Sequence, residues 1–466
     1  MDSHLRSRLQ EAGQTHLIDH AARLSGDALT RFEAQLRGID FEQLHRLFLG
    51  HESPVDWAAV AARAASPPSV LLNDRRFTRA QARQHGVDAL EIGEFAMILV
   101  AGGQGTRLGF DQPKGMFSIG PVSGRTLFEI LVDRLIAVGN RYGNPIPLAV
   151  MTSSATHEST VAYFETHNLL GLAKEDLFFF QQGQMPAVDA ETGKVLLSGV
   201  GEIALSPDGH GGMLAALANS GLLERFCVDG VRHLYYGQID NPLLGVCEPE
   251  FLGYHLLAES EMTTQVVRKT DPAERVGVLA EVDGKMSVIE YSDLPAEAAA
   301  QRDETGELKF WAGSIAVHAI DIEFLCRAAA DAASLPFHRA LKKVPFLDAE
   351  GEIVTPAQPN ALKFERFIFD LLPAAKNAIV VEGRREDCFA PVKNADGAPT
   401  DTPAAARAQM TAQHRRWLES AGAKVAPEAV VEIHPSFALD AEEVKAKIAP
   451  GAQFQGKVYL REGSHS

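Results

Sequence analysis

The run Phe95-Ala96-Met97-Ile98-Leu99-Val100-Ala101 is continuous, apolar and short, and it opens directly into Gly102-Gly103. A run of this length without polar alternation suits a strand buried on both faces of a mostly parallel sheet. Similar runs recur at Ile146–Met151, Leu177–Phe180, His233–Tyr236, Thr264–Val267 and Ile379–Val381. Helical periodicity lies between several of them, as at Leu127–Val138 and Met213–Ala218. Strand-helix-strand alternation predicts an α/β fold with a mostly parallel, doubly wound central sheet over residues 93–385. Ligands of such sheets bind beyond the carboxyl ends of the strands.

The flanks read differently. Residues 1–92 form an N-terminal helical region, with apolar residues at helical spacing in Leu17, Ile18, Ala21 and Leu24, and again in Phe41, Leu44, Leu47 and Phe48. Turns at Glu52-Ser53-Pro54 and Ser66-Pro67-Pro68 divide it. Residues 386–466 begin with a loop at Lys393–Pro403, continue in a helix at Thr402–Ser420 and end in short strand-like pieces, predicting a small β-rich C-terminal domain.

With 466 residues, the chain is long enough for two or three domains. Its net charge of −17 argues against nucleic acid or an anionic membrane as partners of the general surface. Anionic ligands would have to be met by local clusters of Lys and Arg. The four cysteines, Cys227, Cys247, Cys326 and Cys388, show no metal-finger spacing and read as reduced, mostly buried thiols of a cytoplasmic protein. The start lacks an apolar signal core, and no apolar run reaches membrane-spanning length.

The chemistry concentrates after the first strand. Ala101-Gly102-Gly103-Gln104-Gly105-Thr106-Arg107-Leu108-Gly109 leads to Pro113-Lys114-Gly115. Glycines let backbone N–H groups approach an anion without an intervening Cβ. Arg107 adds a planar fork of donors and Lys114 a mobile point charge, which together suit a polyphosphate. The P-loop string is absent, and a dinucleotide fingerprint fails at Leu108. Gln182, or its neighbour Gln181, offers an amide that pairs with one edge of a base. Gly209 and His210 precede a helix near Met213, and Asp240 ends a strand as a hard oxygen ligand or a helix N-cap.

These motifs, over residues of about 90–410, resemble the nucleotidyltransferases that make nucleotide sugars, most closely the UDP-N-acetylglucosamine pyrophosphorylases and their UDP-glucose and UDP-sugar relatives. The resemblance implies a glycosyltransferase-A-like sheet and an enzyme that joins UTP to a sugar 1-phosphate, releasing pyrophosphate. It implies Arg107 and Lys114 as catalytic, and Ala101, Gly102, Gly103, Gly105, Thr106, Gln182, Gly209 and His210 as nucleotide-binding. It further implies Gly277, Glu290, Ser314, Lys363 and Lys393 around the sugar phosphate, with Asp240 holding magnesium. Lys363 is expected on an amphipathic helix. N-acetylglucosamine 1-phosphate is the expected sugar. His210, where the acetylglucosamine enzymes usually carry asparagine, and Ser314, where the family typically does, keep glucose 1-phosphate or a broad sugar range as alternatives. A silent UDP-sugar-binding protein on the same fold is a third. The expected state is a monomer or weak homo-oligomer.

Overall fold

The computed structural model describes residues 1–50, 55–72, 77–331 and 335–464, so the turn expected at Glu52-Ser53-Pro54 lies outside the described residues. Contacts group the chain into two compact units. The larger contains residues 57–181, 217–330 and 371–466; the smaller contains 1–56, 182–216 and 331–370. Sequence divisions at 92 and 385 follow chain order, whereas the units are groupings in space and cross them.

The larger unit is built on a ten-stranded sheet. Its order is Ser69–Val70, Ala378–Gly383, Met262–Arg268, Ala312–Asp321, His233–Gln238, Phe95–Val100, Leu148–Thr152 and Leu177–Gln181, with the hairpin Val278–Val282 and Lys285–Ile289 joined beside Ala312–Asp321. Neighbours along the main path run parallel except at Ala312–Asp321, which is antiparallel to both of its partners. The expected mostly parallel sheet is therefore present. The apolar run Phe95–Leu99 is fully buried, as its lack of alternation requires. Helix Leu127–Tyr142 connects Phe95–Val100 to Leu148–Thr152 and starts on a capping box made by Thr126 and Glu129. No helix among the described residues is long and apolar enough to cross a membrane.

Two helices of this unit meet through glycines. A Cβ on Gly86, in helix Arg79–Glu91, would lie 1.9 Å from the Pro249 carbonyl oxygen. A Cβ on Gly253, in helix Pro249–Leu257, would lie 1.6 Å from that of Ala82. The contacting atoms are backbone, so neither helix can yield by rotating a side chain. Gly253→Ala is expected to destabilise the protein by about 3 kcal/mol through overpacking, read as a lower midpoint in denaturant. An unchanged midpoint would show that the helices separate freely.

After helix Pro403–Ser420, the C-terminal part folds as short parallel pairs, Lys424–Val425 with Gln453–Phe454 and Val430–Ile433 with Lys457–Leu460. Leu418, Val431, Val444 and Leu460 share their core.

In the smaller unit, helices Ser3–Glu11, Thr15–Ala21, Gly26–Arg37 and Phe41–Leu49 pack Leu5, Leu17, Phe32 and Leu36 against Val188, Val195 and Phe364. Buried Gln14 donates to the Gly193 carbonyl at 3.1 Å and accepts from the Val195 N–H at 2.9 Å. A three-stranded antiparallel sheet joins His338–Lys342, Ala361–Glu365 and Val188–Asp189. Lys363 therefore lies on a strand, opposite Ala340, and not on the expected helix. The spacing of Phe364, Phe367 and Phe369 imitates a helical face, but Ala361–Glu365 is captured by two flanking strands. Tertiary pairing overrides local periodicity there.

Candidate active site

In the larger unit the glycine-rich loop and the lysine loop pair with each other. The Lys114 N–H donates to the Gly103 carbonyl at 3.0 Å and the Gly105 N–H to that of Gln112 at 3.0 Å, around a bridge between Gln104 and Pro113. The Ser153 hydroxyl donates to the Gly102 carbonyl at 2.8 Å, and the Ala101 N–H to Met151 at 2.8 Å. Those carbonyls are thereby occupied. Gly105 is required for space, since its Cβ would lie 2.7 Å from the Phe110 carbonyl oxygen. A Cβ on Gly103 would meet nothing, so the Gly103 backbone borders open space. Thr106 and Arg107 sit in a 3-10 turn ending at Leu108. Arg107 is exposed and makes no ion pair among the described residues.

Sheet register delivers the acid to this loop. Gln238 is paired with Val100, and the Ile239 N–H extends the ladder to the Val100 carbonyl at 3.0 Å. The two parallel strands run out together, where an α/β sheet binds ligands. Lys114 Nζ stands 3.6 Å from Asp240 Oδ2, both side chains mostly covered, at 17% and 14% exposure. A lysine and a carboxylate at this spacing form a loose ion pair that phosphate and a cation can replace.

Lys393 is tied to the same place. The Val392 N–H donates to the Asp240 carbonyl at 2.8 Å. Asn241, buried next door, donates from Nδ2 to the Cys388 carbonyl at 2.7 Å and accepts the Ala390 N–H at 3.0 Å. Asn241 carries no sequence signal for this role. Its real work is anchoring the Cys388–Lys393 segment, and only the fold reveals that. Arg134 adds support, donating to the carbonyls of Pro242 and Leu244 at 3.3 and 2.6 Å. Burial lowers Arg134 to about 10, so it stays cationic at neutral pH. It also lines a cavity of about 440 Å³ that includes Arg79, Glu248 and Trp417 and none of the glycine-loop residues.

Three of the residues assigned to the sugar are brought together. The Ser314 N–H donates to the Gly277 carbonyl at 2.9 Å, and a Cβ on Gly277 would lie 2.8 Å from Glu290 Oε1. The Glu290 carboxylate thus overlies the bare Gly277 backbone. Ser314 sits where the ladder shifts register, between Gln265 and Val266. A bulge of this kind re-aims side chains beside a site.

The smaller unit carries Gln182, Gly209, His210 and Lys363. Its loops are bound to one another. The Asp208 N–H donates to Gly183 at 3.0 Å, and Arg366 binds Asp208 through its backbone N–H at 2.8 Å and its guanidinium at 2.6 Å. Gly209 has φ +83°, and a Cβ there would lie 2.3 Å from the Arg366 carbonyl oxygen. The Asp208–Arg366 pair was missed in the sequence because the two residues lie far apart. His210 accepts the Ile368 N–H at Nδ1, 3.2 Å, and its ring lies near Phe367 and Phe369. Burial lowers His210 to about 4, so the ring is neutral at pH 7 with its proton on Nε2.

A sequence profile of the UTP–glucose-1-phosphate uridylyltransferase family matches residues 40–464, nearly the whole chain and all of the site residues above. The chain belongs to this family. Within the family, it is 34% identical to the human UDP-N-acetylhexosamine pyrophosphorylase-like protein 1, over 98% of this chain and 97% of that one. It is 37% identical to the UDP-N-acetylglucosamine pyrophosphorylase of Saccharomyces cerevisiae, over 81% of this chain and 79% of that one. Among solved structures, it resembles the uridine diphosphate N-acetylglucosamine pyrophosphorylase of Trypanosoma brucei with a TM-score of 0.81 and 28% identity, covering 98% and 97% of the two chains. Family membership makes the protein a UDP-sugar pyrophosphorylase, a uridylyltransferase by class.

Proposed function

We propose that the chain joins UTP to N-acetylglucosamine 1-phosphate by direct in-line attack, releasing pyrophosphate. The observation that carries this reading is the pairing of Lys114 with Asp240, 3.6 Å apart, beside the glycine-rich loop. The likeness to acetylglucosamine pyrophosphorylases over almost the full chain supports the sugar.

A sugar 1-phosphate is already anionic at neutral pH, so its oxygen attacks without a general base. The barrier lies in bringing two anions together and holding the charge that spreads over the α-phosphate. Lys114 neutralises that phosphate, and Arg107 with the amides of Gly102, Gly103 and Thr106 holds the pyrophosphate that leaves, while the Ala101 and Gly105 N–H groups, given to Met151 and Gln112, shape the loop beside it. Lys363 or Lys393 binds the incoming phosphate. Gln182 reads uracil, and Gly209 and His210 support the nucleoside. Gly277, Glu290 and Ser314 receive the hexose, with the carboxylate accepting from its hydroxyls.

Magnesium fits Asp240. A partly covered carboxylate at a strand end is a hard oxygen ligand, and among the described residues no group of three or more His, Cys, Asp or Glu side chains forms a metal cage. One protein carboxylate completed by water and phosphate oxygens is the usual magnesium arrangement. When bound, the ion would neutralise nucleotide phosphate charge.

The second reading, glucose 1-phosphate or a broad range, is favoured by His210, in place of the asparagine usual in the acetylglucosamine enzymes, and by Ser314, in place of the asparagine typical of the family. Turnover on N-acetylglucosamine, glucose and galactose 1-phosphates, with UTP and with other nucleoside triphosphates, decides between them. The expected result is at least a tenfold preference for N-acetylglucosamine, about 1.4 kcal/mol of discrimination. A preference for glucose would overturn the sugar assignment, and no pyrophosphate from any pair would overturn the activity. We further propose a cytoplasmic monomer or weak homo-oligomer, to be checked by sedimentation.

A further inference from the structure

Cys227 and Cys326 lie 99 residues apart in sequence, yet their sulfurs are 3.8 Å apart, and both residues are exposed. The other two cysteines, Cys247 and Cys388, are buried. We infer that Cys227 and Cys326 form a modification site that closes to an intramolecular disulfide by exchange with a low-molecular-weight disulfide.

Sheet register holds the pair together. Cys227 is on helix Leu222–Val228, which precedes strand His233–Gln238. Cys326 is on helix Ile322–Ala330, which follows strand Ala312–Asp321. These strands are antiparallel neighbours, with His233 opposite Asp321, and the Ile322 N–H donates to the Arg232 carbonyl at 2.9 Å. The two helices therefore spring from one end of one strand pair and pack in contact. Bond formation brings the sulfurs to ~2.05 Å. Asp240 and Ser314 are at the far ends of the same strands.

The exchange balances in two steps. The Cys227 thiolate attacks the small disulfide RSSR, forming a mixed disulfide and expelling one RS⁻, which takes up the proton that Cys227 gave up. The Cys326 sulfur then attacks the Cys227 sulfur and expels the second thiol. The pair loses two electrons and two protons, and RSSR becomes two RSH. Partial covering and the neighbouring Cys227 push the Cys326 thiol up, and the 3.8 Å between the sulfurs lets whichever thiol remains attack the mixed disulfide on its partner.

Closure ties together a long stretch of chain, which restricts the unfolded ensemble and raises stability. The test is incubation of the full chain with bis(2-hydroxyethyl) disulfide. Expected are a fall in titratable thiols from four to two after denaturation, a mass lower by two hydrogen atoms, and a single linked peptide pair containing Cys227 and Cys326. The thermal midpoint rises and returns on reduction. Turnover stays within about twofold, because the clamp is at the far end of the strands. Cys227→Ser and Cys326→Ser are each expected to stop at a mixed disulfide with no rise in midpoint. A wild-type chain that accumulates the mixed disulfide without closing, keeps four thiols, or links Cys247 or Cys388 instead overturns the inference.

Discussion

Lys114→Ala is expected to lower turnover by at least 10²-fold, about 3 kcal/mol of barrier. The ammonium lies beside the acid proposed to hold magnesium, at the mouth of the glycine loop. An interaction that strengthens as charge spreads over the α-phosphate acts on the transition state more than on bound UTP. The loss therefore falls mainly on kcat, with a smaller change in KM for UTP. The fold should survive. Lys114 holds its loop through its backbone N–H to Gly103, which alanine keeps. Near-normal turnover in a folded Lys114→Ala enzyme would refute the catalytic role. Lys114→Arg separates charge from shape: a guanidinium restores the charge with different reach, so partial recovery is expected.

Asp240→Asn is the second large effect. The amide keeps the shape of the side chain and removes its negative charge. Turnover at ordinary magnesium should fall by about 10²-fold, and the magnesium needed for half-maximal rate should rise at least tenfold. The backbone bond from Val392 to the Asp240 carbonyl and the Asn241 anchor are untouched by this change. A rise in the magnesium requirement thus reports the metal, whereas displacement of Lys393 would appear as a higher KM for the sugar phosphate at unchanged magnesium dependence. If neither turnover nor magnesium dependence moves, Asp240 is not the metal acid.

Much of this is readable along the chain. Phe95–Val100 and its counterparts are strands because continuous apolar residues must be covered on both faces, and they are covered. The glycine-rich loop reads as an anion cradle from residues within reach of one another, whereas the need for Gly105 beside Phe110 is visible only in the fold. The likeness of these motifs to nucleotide-sugar enzymes agrees with the family that the chain belongs to.

Other features depend on pairings that no local pattern encodes. Lys363 sits on a strand because two distant strands claim its segment. Asp208 and Arg366 meet only when the 182–216 and 331–370 segments fold with the N-terminal helices. Asn241 holds Cys388 and Ala390, and Cys227 lies against Cys326, through sheet order alone.

The sequence by itself determined the strand-helix alternation, the glycine-rich loop and the identity of its cations, because glycine space, apolar continuity and charge are local properties. Tertiary structure decided that Lys114 stands 3.6 Å from Asp240, that Glu290 overlies Gly277, and that two exposed thiols lie within 3.8 Å. The physical reason is register: hydrogen bonds between strands distant in sequence set which side chains share a place, and that choice is made only when the sheet forms.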